Sequence, residues 1–352
     1  MNYFGAYHWD VRPQALGICD APHISKGGMM FSGFETASDA ATMALVQGNM
    51  RNRAELAREL RCAPYASQAE VLLKAYKNWG DDYILHVDGP CLCCVADVEQ
   101  NRMTIARDRM GETILFYALC GQGLVFADHP DMILKSVCMD AVVDAEGLCE
   151  LFGLGPARTP GKTPLKGVYA LEPGCMLVCL ETGIEKKCYY KLSAHDHEDD
   201  EEATVKHVRS LLEECINAVV HLHPGCMLSG GLDSTALTAL LSTRIGRLDT
   251  FSVDYRDNDQ DFVPNAFRPE MDGPYIRMAA KLFGSRHRSV VLEQDALAEG
   301  LDAAMRARGF PGMADIPGLR AIRLCRRNAF PGLAHWTCGK RFFDRRCVKS
   351  SN

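Results

Sequence analysis

In this 352-residue chain the residues best suited to chemistry lie in the run Ser229-Gly230-Gly231-Leu232-Asp233-Ser234. Two adjacent glycines permit a tight turn, because glycine reaches backbone angles that a Cβ forbids. The apolar residues Cys226 to Leu228 ahead of the turn read as the end of a buried parallel strand. From Leu232 onward, Ala236, Leu237, Ala239, Leu240 and Leu241 predict a helix. A strand, a glycine turn and a helix N-terminus together aim unpaired N–H groups and a positive dipole end at one point, which makes an anion site. The hydroxyls of Ser229, Ser234 and Thr235 can add hydrogen bonds to phosphate oxygens. The run has no Lys of the G-x-x-x-x-G-K-[ST] kind, so a bound triphosphate needs Mg²⁺ to balance its charge. Asp233 is the local carboxylate for that metal. The bland alternative is an incidental Ser/Gly turn before a core helix.

Around this run the chain reads as two domains. Strands are expected over Met1–Tyr7, Met43–Val46, Ile84–Val87, Leu92–Ala96, Arg102–Arg107, Leu115–Leu119 and Gly123–Ala127, with helices over Arg53–Arg61 and Ser67–Trp79. Such a meander beside two helices predicts an α+β layered domain over 1–190. Residues 191–203 form an acidic linker, including Asp196, Glu198, Asp199 and Asp200. His195 and His197 could bind a metal there, though a solvated linker is the simpler reading. Thr204–Val220 predicts an amphipathic helix that carries Val205, Val208, Leu211, Leu212, Cys215, Ile216 and Val219. Beyond the glycine turn, strands over Leu248–Val253 and His287–Leu292 alternate with helices over Asp272–Gly284 and Ala296–Arg306. That β-α-β-α-β series implies a parallel sheet over 204–316, with the ligand at the strands' carboxyl ends.

Composition narrows the class. A net charge of −6 hides an asymmetry: residues 316–352 carry nine Lys or Arg against Asp344 alone, so the rest of the chain is strongly acidic. Sixteen cysteines would suit a small secreted scaffold, but at this length and with no signal peptide they predict a reduced cytoplasmic protein with buried free thiols. Cys91, Cys93 and Cys94 sit in an apolar run and read as core rather than metal ligands. No apolar run approaches the roughly 20 residues a membrane span needs.

Ser229 to Ser234 is similar, residue for residue, to the pyrophosphate loop S-G-G-x-D-S of the ATP pyrophosphatases. Leu228 and the N-terminal half narrow the resemblance to the asparagine synthetase family, with its β-lactam synthetase and lasso-peptide cyclase relatives. Asp88-Gly89-Pro90, Arg107-Asp108-Arg109-Met110-Gly111, Leu124–Asp128 and the stretch Gly161–Gly174 resemble motifs of that family's glutaminase half. The implied fold is an α+β domain like the N-terminal-nucleophile hydrolases, followed by an α/β parallel-sheet ATP pyrophosphatase domain that is incomplete. By resemblance Leu228, Ser229, Gly230, Gly231, Leu232, Asp233, Ser234 and Val253 bind ATP, with Leu228 and Val253 beside adenine, Asp233 on Mg²⁺, and His287 a candidate phosphate contact or a structural residue.

The glutaminase positions depart from the family pattern. Asn2 stands in place of the N-terminal Cys nucleophile, whose thiol and α-amine cooperate. Gln47 and Asn49 replace two residues of the family's N-G-E-I-Y-N segment, and Gln68 replaces the acid that binds the substrate's α-amine. Cys19, the only early cysteine, lies in a loop and is a poor substitute nucleophile. An inactive glutaminase half is therefore expected.

Past Ile316 the resemblance ends, because the second phosphate-gripping motif S-G-E-x-[AS]-D-E is absent. Residues 317–352 are then a basic tail outside the family, read as a frame-shifted or truncated gene end, with a nucleic-acid arm or a Cys325/His335/Cys338/Cys347 zinc set as weaker alternatives. The resemblance implies an AMP-forming, ATP-dependent amide ligase. It would activate a carboxylate such as aspartate and take nitrogen from ammonia or an amine; no membrane or nucleic-acid partner is expected, and a homodimer stays open. The rival expectations are a non-catalytic nucleotide-binding or partner protein, and a defective remnant of such a ligase.

Overall fold

The computed structural model describes residues 3–7, 23–26, 29–120, 123–136, 139–154, 158–221, 223–266 and 269–311, with the backbone of two short strands at 332–334 and 343–344. Asn2, Cys19 and the proposed zinc set of the tail lie outside the described residues. The chain divides into two compact units, Met1–Ser193 and Ala194–Asn352.

The first unit runs β1 (Phe4–Tyr7), β2 (His23–Lys26), β3 (Met29–Ser32), β4 (Glu35–Ser38), β5 (Thr42–Gly48), α1 (Arg53–Glu59), α2 (Gln68–Trp79), α3 (Tyr83–His86), β6 (Cys91–Asp97), β7 (Arg102–Ala106), β8 (Phe116–Cys120) and β9 (Gly123–Ala127). It continues with α4 (Pro130–Ser136), α5 (Ala145–Leu148), β10 (Tyr169–Ala170), β11 (Cys175–Leu180) and β12 (Gly183–Cys188). Its strands form two antiparallel sheets among the described residues, ordered β10-β8-β9-β1-β3-β2 and β12-β11-β7-β6-β5-β4.

Strand alternation explains the layering. On β5, Leu45 and Met43 point into a core with Phe31, Phe126, Leu92, Cys94 and Leu177, which is contributed by both sheets. Ala44 and Val46, one residue out of phase, point instead to Leu56, Val71, Leu72 and Ala75 on α1 and α2. With α4 packed on the outer face of β8 and β9, the unit is a helix–sheet–sheet–helix stack. Strand β6 is buried along its whole length, because both its faces are covered. Its cysteines belong to that core, and burial pushes the thiols of Cys94 and Cys179 up, the latter to about 12. Helix α2 starts at a reciprocal capping box formed by Ser67 and Glu70.

One expectation fails. Ile84–Val87, read as a strand, is the helix α3, reached through a single 3₁₀ turn at Gly80–Asp82. Tyr83 and Ile84, adjacent in sequence, are both buried, which a helix allows and a one-sided strand does not.

The second unit has its first helix after an exposed run over 191–200. It holds α6 (Glu201–Val220), β13 (Gly225–Met227), α7 (Leu232–Ser242), β14 (Asp249–Tyr255), a single turn α8 (Asn258–Asp261), α9 (Asp272–Leu282), β15 (Arg286–Leu292), α10 (Gln294–Arg308), β16 (Gly332–Ala334) and β17 (Phe343–Asp344). Asp200 caps α6 by accepting from the Ala203 amide at 2.8 Å. The sheet order is β15-β14-β13-β16-β17, with β13 parallel to both β14 and β16. The tail thus contributes strands although its sequence shows no period; two or three residues are too few to display one. Helix α6 is present as predicted, yet only Ile216 is buried, while Val205, Val208 and Leu211 stay about half exposed. No described helix is long and apolar enough to cross a membrane.

Leu45 is fully buried between the two sheets of the first unit. Leu45→Ala is expected to cost about 2–5 kcal/mol, read as an earlier denaturant midpoint in the transition assigned to that unit.

Candidate functional site

The turn after β13 lies at the carboxyl end of a parallel strand pair. The Leu228 amide donates to the Phe251 carbonyl at 2.8 Å, continuing the β13–β14 ladder by one residue. The chain then reverses at Gly230, whose φ of +81° is in the left-handed region. A Cβ there would lie 3.0 Å from the Asp272 carbonyl and 3.1 Å from Tyr275 Cβ, so the turn also leans on the first turns of α9. Both the torsion and the close approach require glycine.

Gly231 caps α7 and offers no side-chain acceptor to its amides. The first backbone bond of the helix runs from Thr235 N–H to the Gly231 carbonyl at 3.1 Å. The amides ahead of it are the orphan donors of a helix N-terminus, and they face solvent beside the exposed Ser229, Gly231 and Asp233. Ser234 is buried and fixes the turn from inside. Its hydroxyl donates to the Gly231 carbonyl at 3.2 Å and accepts from the Ser229 amide at 3.2 Å, with the Ser229 hydroxyl 3.0 Å away.

The sequence-predicted residues are therefore brought together with distinct positions. Leu228 is buried against Ile276 and Ala279 of α9. Val253 is half-buried at the carboxyl half of the neighbouring strand β14. Leu232 is 89 % exposed, so it can act at this site through its backbone N–H and not through packing. Asp233 is exposed in the first turn of α7. Among the described residues no three His, Cys, Asp or Glu side chains are grouped to hold a metal by themselves. A cation at Asp233 thus requires phosphate oxygens as further ligands, the way Mg²⁺ is commonly held.

His287 is a structural residue. Its Nδ1 lies 3.0 Å from the Thr250 hydroxyl and its Nε2 lies 3.0 Å from the Ser252 hydroxyl, so both ring nitrogens are engaged across β14 and β15. Ser252 also reaches Ser289 at 3.1 Å, and Thr250 reaches Ser285 at 2.8 Å. Burial holds the His287 pKa below the ordinary value. On the other face of the same strands Asp249, 4 % exposed, pairs with Arg286 and with Arg288 at 3.3 Å.

In the first unit Gln68 and the Gln47–Asn49 segment do converge, but on each other. The Gln68 carbonyl oxygen accepts from the Met50 amide at 2.6 Å, while its Nε2 donates to Glu35 at 3.1 Å and lies 3.4 Å from the Gly48 carbonyl. Glu35 accepts in addition from the Ala69 amide at 3.1 Å, at the N-terminus of α2. Glu35 was invisible to sequence reading, because the four-residue strand β4 gives too short a pattern.

The Arg107-Asp108 motif is likewise consumed internally. Half-buried Arg107 donates to the carbonyls of Thr113 at 2.8 Å and Gly111 at 3.0 Å, and Asp108 accepts from the amides of Glu112 and Thr113, both at 2.7 Å. A cavity of about 30 Å³ is lined by Arg51, Asp88, Asp108, Arg109 and Glu112. Burial raises the Glu112 pKa there, against the opposing pull of Arg51 at 2.9 Å.

Comparison with known proteins fits this two-unit layout. A profile described as "Glutamine amidotransferase domain" matches residues 33–190, and one described as "Asparagine synthase" matches residues 207–330. Asparagine synthetase [glutamine-hydrolyzing] 3 of Bacillus subtilis is 33 % identical over 326 residues, covering 90 % of this chain and 52 % of that protein. The chain belongs to the asparagine synthetase family. Asparagine synthetase [glutamine-hydrolyzing] 1 of the same organism is 25 % identical over 263 residues, covering 72 % of this chain and 40 % of that protein. Among solved structures, a B. subtilis glutamine phosphoribosylpyrophosphate amidotransferase complexed with ADP and GMP matches at a TM-score of 0.41 and 12 % identity, over 85 % of this chain and 92 % of that one. The chain spans about half the length of the curated relatives it matches. The first unit is a layered α+β glutamine amidotransferase domain, and an asparagine synthase domain follows.

Two predictions follow from this geometry. Gly230→Ala forces a Cβ into a left-handed residue, at about 1–2 kcal/mol, beyond any cost from the Asp272 contact; denaturation of the second unit reads it. For His287, a pKa held below the unfolded value of 6.5 means stability present above that value and lost as pH falls through the folded one. The second unit should melt earlier as pH drops from 7 to 5, and His287→Gln should remove part of that slope.

Proposed function

We propose that the chain is an asparagine synthetase-like, ATP-dependent, AMP-forming amide ligase, and that its second unit holds ATP at the turn Ser229–Ser234. The observation that carries the reading is the open amide end of α7, seated at the carboxyl edge of a parallel sheet with Ser234 fixing its shape. In the proposed reaction a substrate carboxylate oxygen attacks the α-phosphorus of ATP; a new P–O bond forms, the α–β bridge breaks and pyrophosphate leaves. The nitrogen of ammonia or an amine then attacks the activated carbonyl carbon, and AMP departs with the oxygen. Activation is needed because a carboxylate at neutral pH is a poor acyl donor.

The backbone amides from Gly230 to Asp233 bind and orient the departing pyrophosphate, where preorganised donors have most effect on the developing charge. Leu228 and Val253, on neighbouring strand ends, flank adenine. Asp233 would hold Mg²⁺ together with phosphate oxygens, and the ion would neutralise phosphate charge. The names of the relatives favour aspartate as the carboxylate. The nitrogen comes from ammonia or an amine rather than glutamine: Asn2 carries no thiol, and the Gln68 carboxamide is tied to Met50, Glu35 and Gly48.

ATP–pyrophosphate exchange tests this directly. With Mg²⁺ and a panel including aspartate, exchange is expected, falling at least about tenfold in Asp233→Asn, or about 1.4 kcal/mol. MgATP at a hundred times its Kd should raise stability by about 2.7 kcal/mol. A thermal shift without exchange for any carboxylate would favour the rival, a non-catalytic nucleotide-binding protein. Absence of both would end the nucleotide reading.

A further inference from the structure

Strands β11 and β12 form a hairpin in which Cys175 lies directly opposite Cys188. Both are free thiols, Cys175 buried and Cys188 exposed. The backbone polar groups of Cys175 turn away from β12: its carbonyl accepts from Arg107 N–H at 3.0 Å and its amide donates to Glu172 at 3.3 Å. The next pair outward, Gly174 with Tyr189, is hydrogen-bonded at 2.8 Å. Cys175 and Cys188 therefore occupy a non-hydrogen-bonded position, where antiparallel side chains come closest. Directly opposed residues have Cα atoms about 4.5–5.5 Å apart, inside the window of roughly 4.4–6.8 Å that a disulfide needs. The Cys188 thiol donates to the Tyr190 carbonyl at 3.3 Å, at the same end of the hairpin.

We propose that Cys175 and Cys188 are a redox modification site: a cross-strand dithiol that hydrogen peroxide converts to a disulfide within the folded chain. Exposed Cys188 is the sulfur a peroxide reaches first. Its thiolate attacks a peroxide oxygen, the O–O bond breaks, and Cys188 becomes a sulfenic acid as one water leaves. The Cys175 sulfur then attacks the Cys188 sulfur; the S–S bond forms, the S–O bond breaks, and the leaving hydroxide takes the Cys175 proton as a second water. Two thiols and one peroxide thus give one disulfide and two waters. Burial keeps Cys175 protonated, with its pKa pushed up to about 11, so it serves as the resolving partner and not as the first target.

The position gives the bridge a structural effect. Strand β12 is the edge of its sheet and pairs with β11 alone among the described strands. Its far end leads into Tyr189 and Tyr190, whose amides both converge on the Gly174 carbonyl. Tyr189 also donates through its hydroxyl to the Arg107 carbonyl at 2.5 Å. A covalent link at Cys188 would pin the edge strand at the point where the chain leaves the first unit.

The test uses the full-length chain under native conditions with hydrogen peroxide, followed by alkylation, peptide mapping and hydrogen exchange. Expected are a Cys175–Cys188 linked peptide that dithiothreitol reverses, loss of Cys188 alkylation by at least about tenfold, and slower amide exchange in β12. Cys188→Ser and Cys188→Ala, at an exposed position, should fold and show neither the link nor the slowed exchange. Oxidation of Cys188 to sulfinate with Cys175 still alkylatable, pairing of Cys188 with a different cysteine, or a link that forms only in denaturant would overturn the proposal.

Discussion

The second unit depends on one backbone reversal. Between β13 and α7 the chain must turn in few residues, and it does so with Gly230 in the left-handed region and Gly231 as a cap that has no side-chain acceptor. A Ser or Asp cap would have satisfied the first amides of α7 locally. Leaving them open costs helix stability, and that cost is offset by Ser234, which ties Ser229 and Gly231 from beneath, and by Leu228 packed on α9. The same choice fixes the rest of the site. Asp233 faces solvent because it sits in the first turn of α7, and Val253 is near because Leu228 extends the ladder to Phe251.

The first unit spends its polar groups in the opposite way. Arg107 donates to a set of carbonyls, Asp108 closes a turn, and Gln68 with Glu35 joins β4, β5 and the start of α2. Each of these groups has its partners inside the protein, as buried polar groups must. The polar groups named here in the first unit are engaged by protein partners, whereas the first amides of α7 in the second have no capping side chain.

Much of this was legible in the sequence. The apolar runs of β5, β6 and β9 and the apolar faces of α2 and α6 are strong signals, and the glycine turn carries its mechanism in its residue types. The short strands β2, β4, β10 and β16 were not legible, since two to four residues hold too little pattern. Misreading Ile84–Val87 has the same cause: the four residues suit either state, and the burial of Tyr83 beside Ile84 is decided by neighbours far along the chain. The role of Glu35 was hidden with its strand. The exposure of Val205, Val208 and Leu211 was hidden for another reason, because a helical stripe indicates which side is apolar and is silent about how much of it is covered.

The hydroxyl–imidazole ladder between β14 and β15 has one more consequence. Side chains alternate along a strand, so a slip of β15 by a single residue would carry His287 to the face of Asp249 and present Arg286 or Arg288 to Thr250 and Ser252. Two ring nitrogens would lose their hydroxyls, and the acid would lose its cations. The outermost strand of the parallel sheet, which has the fewest neighbours to align it, is thereby indexed by chemistry on both sides at once.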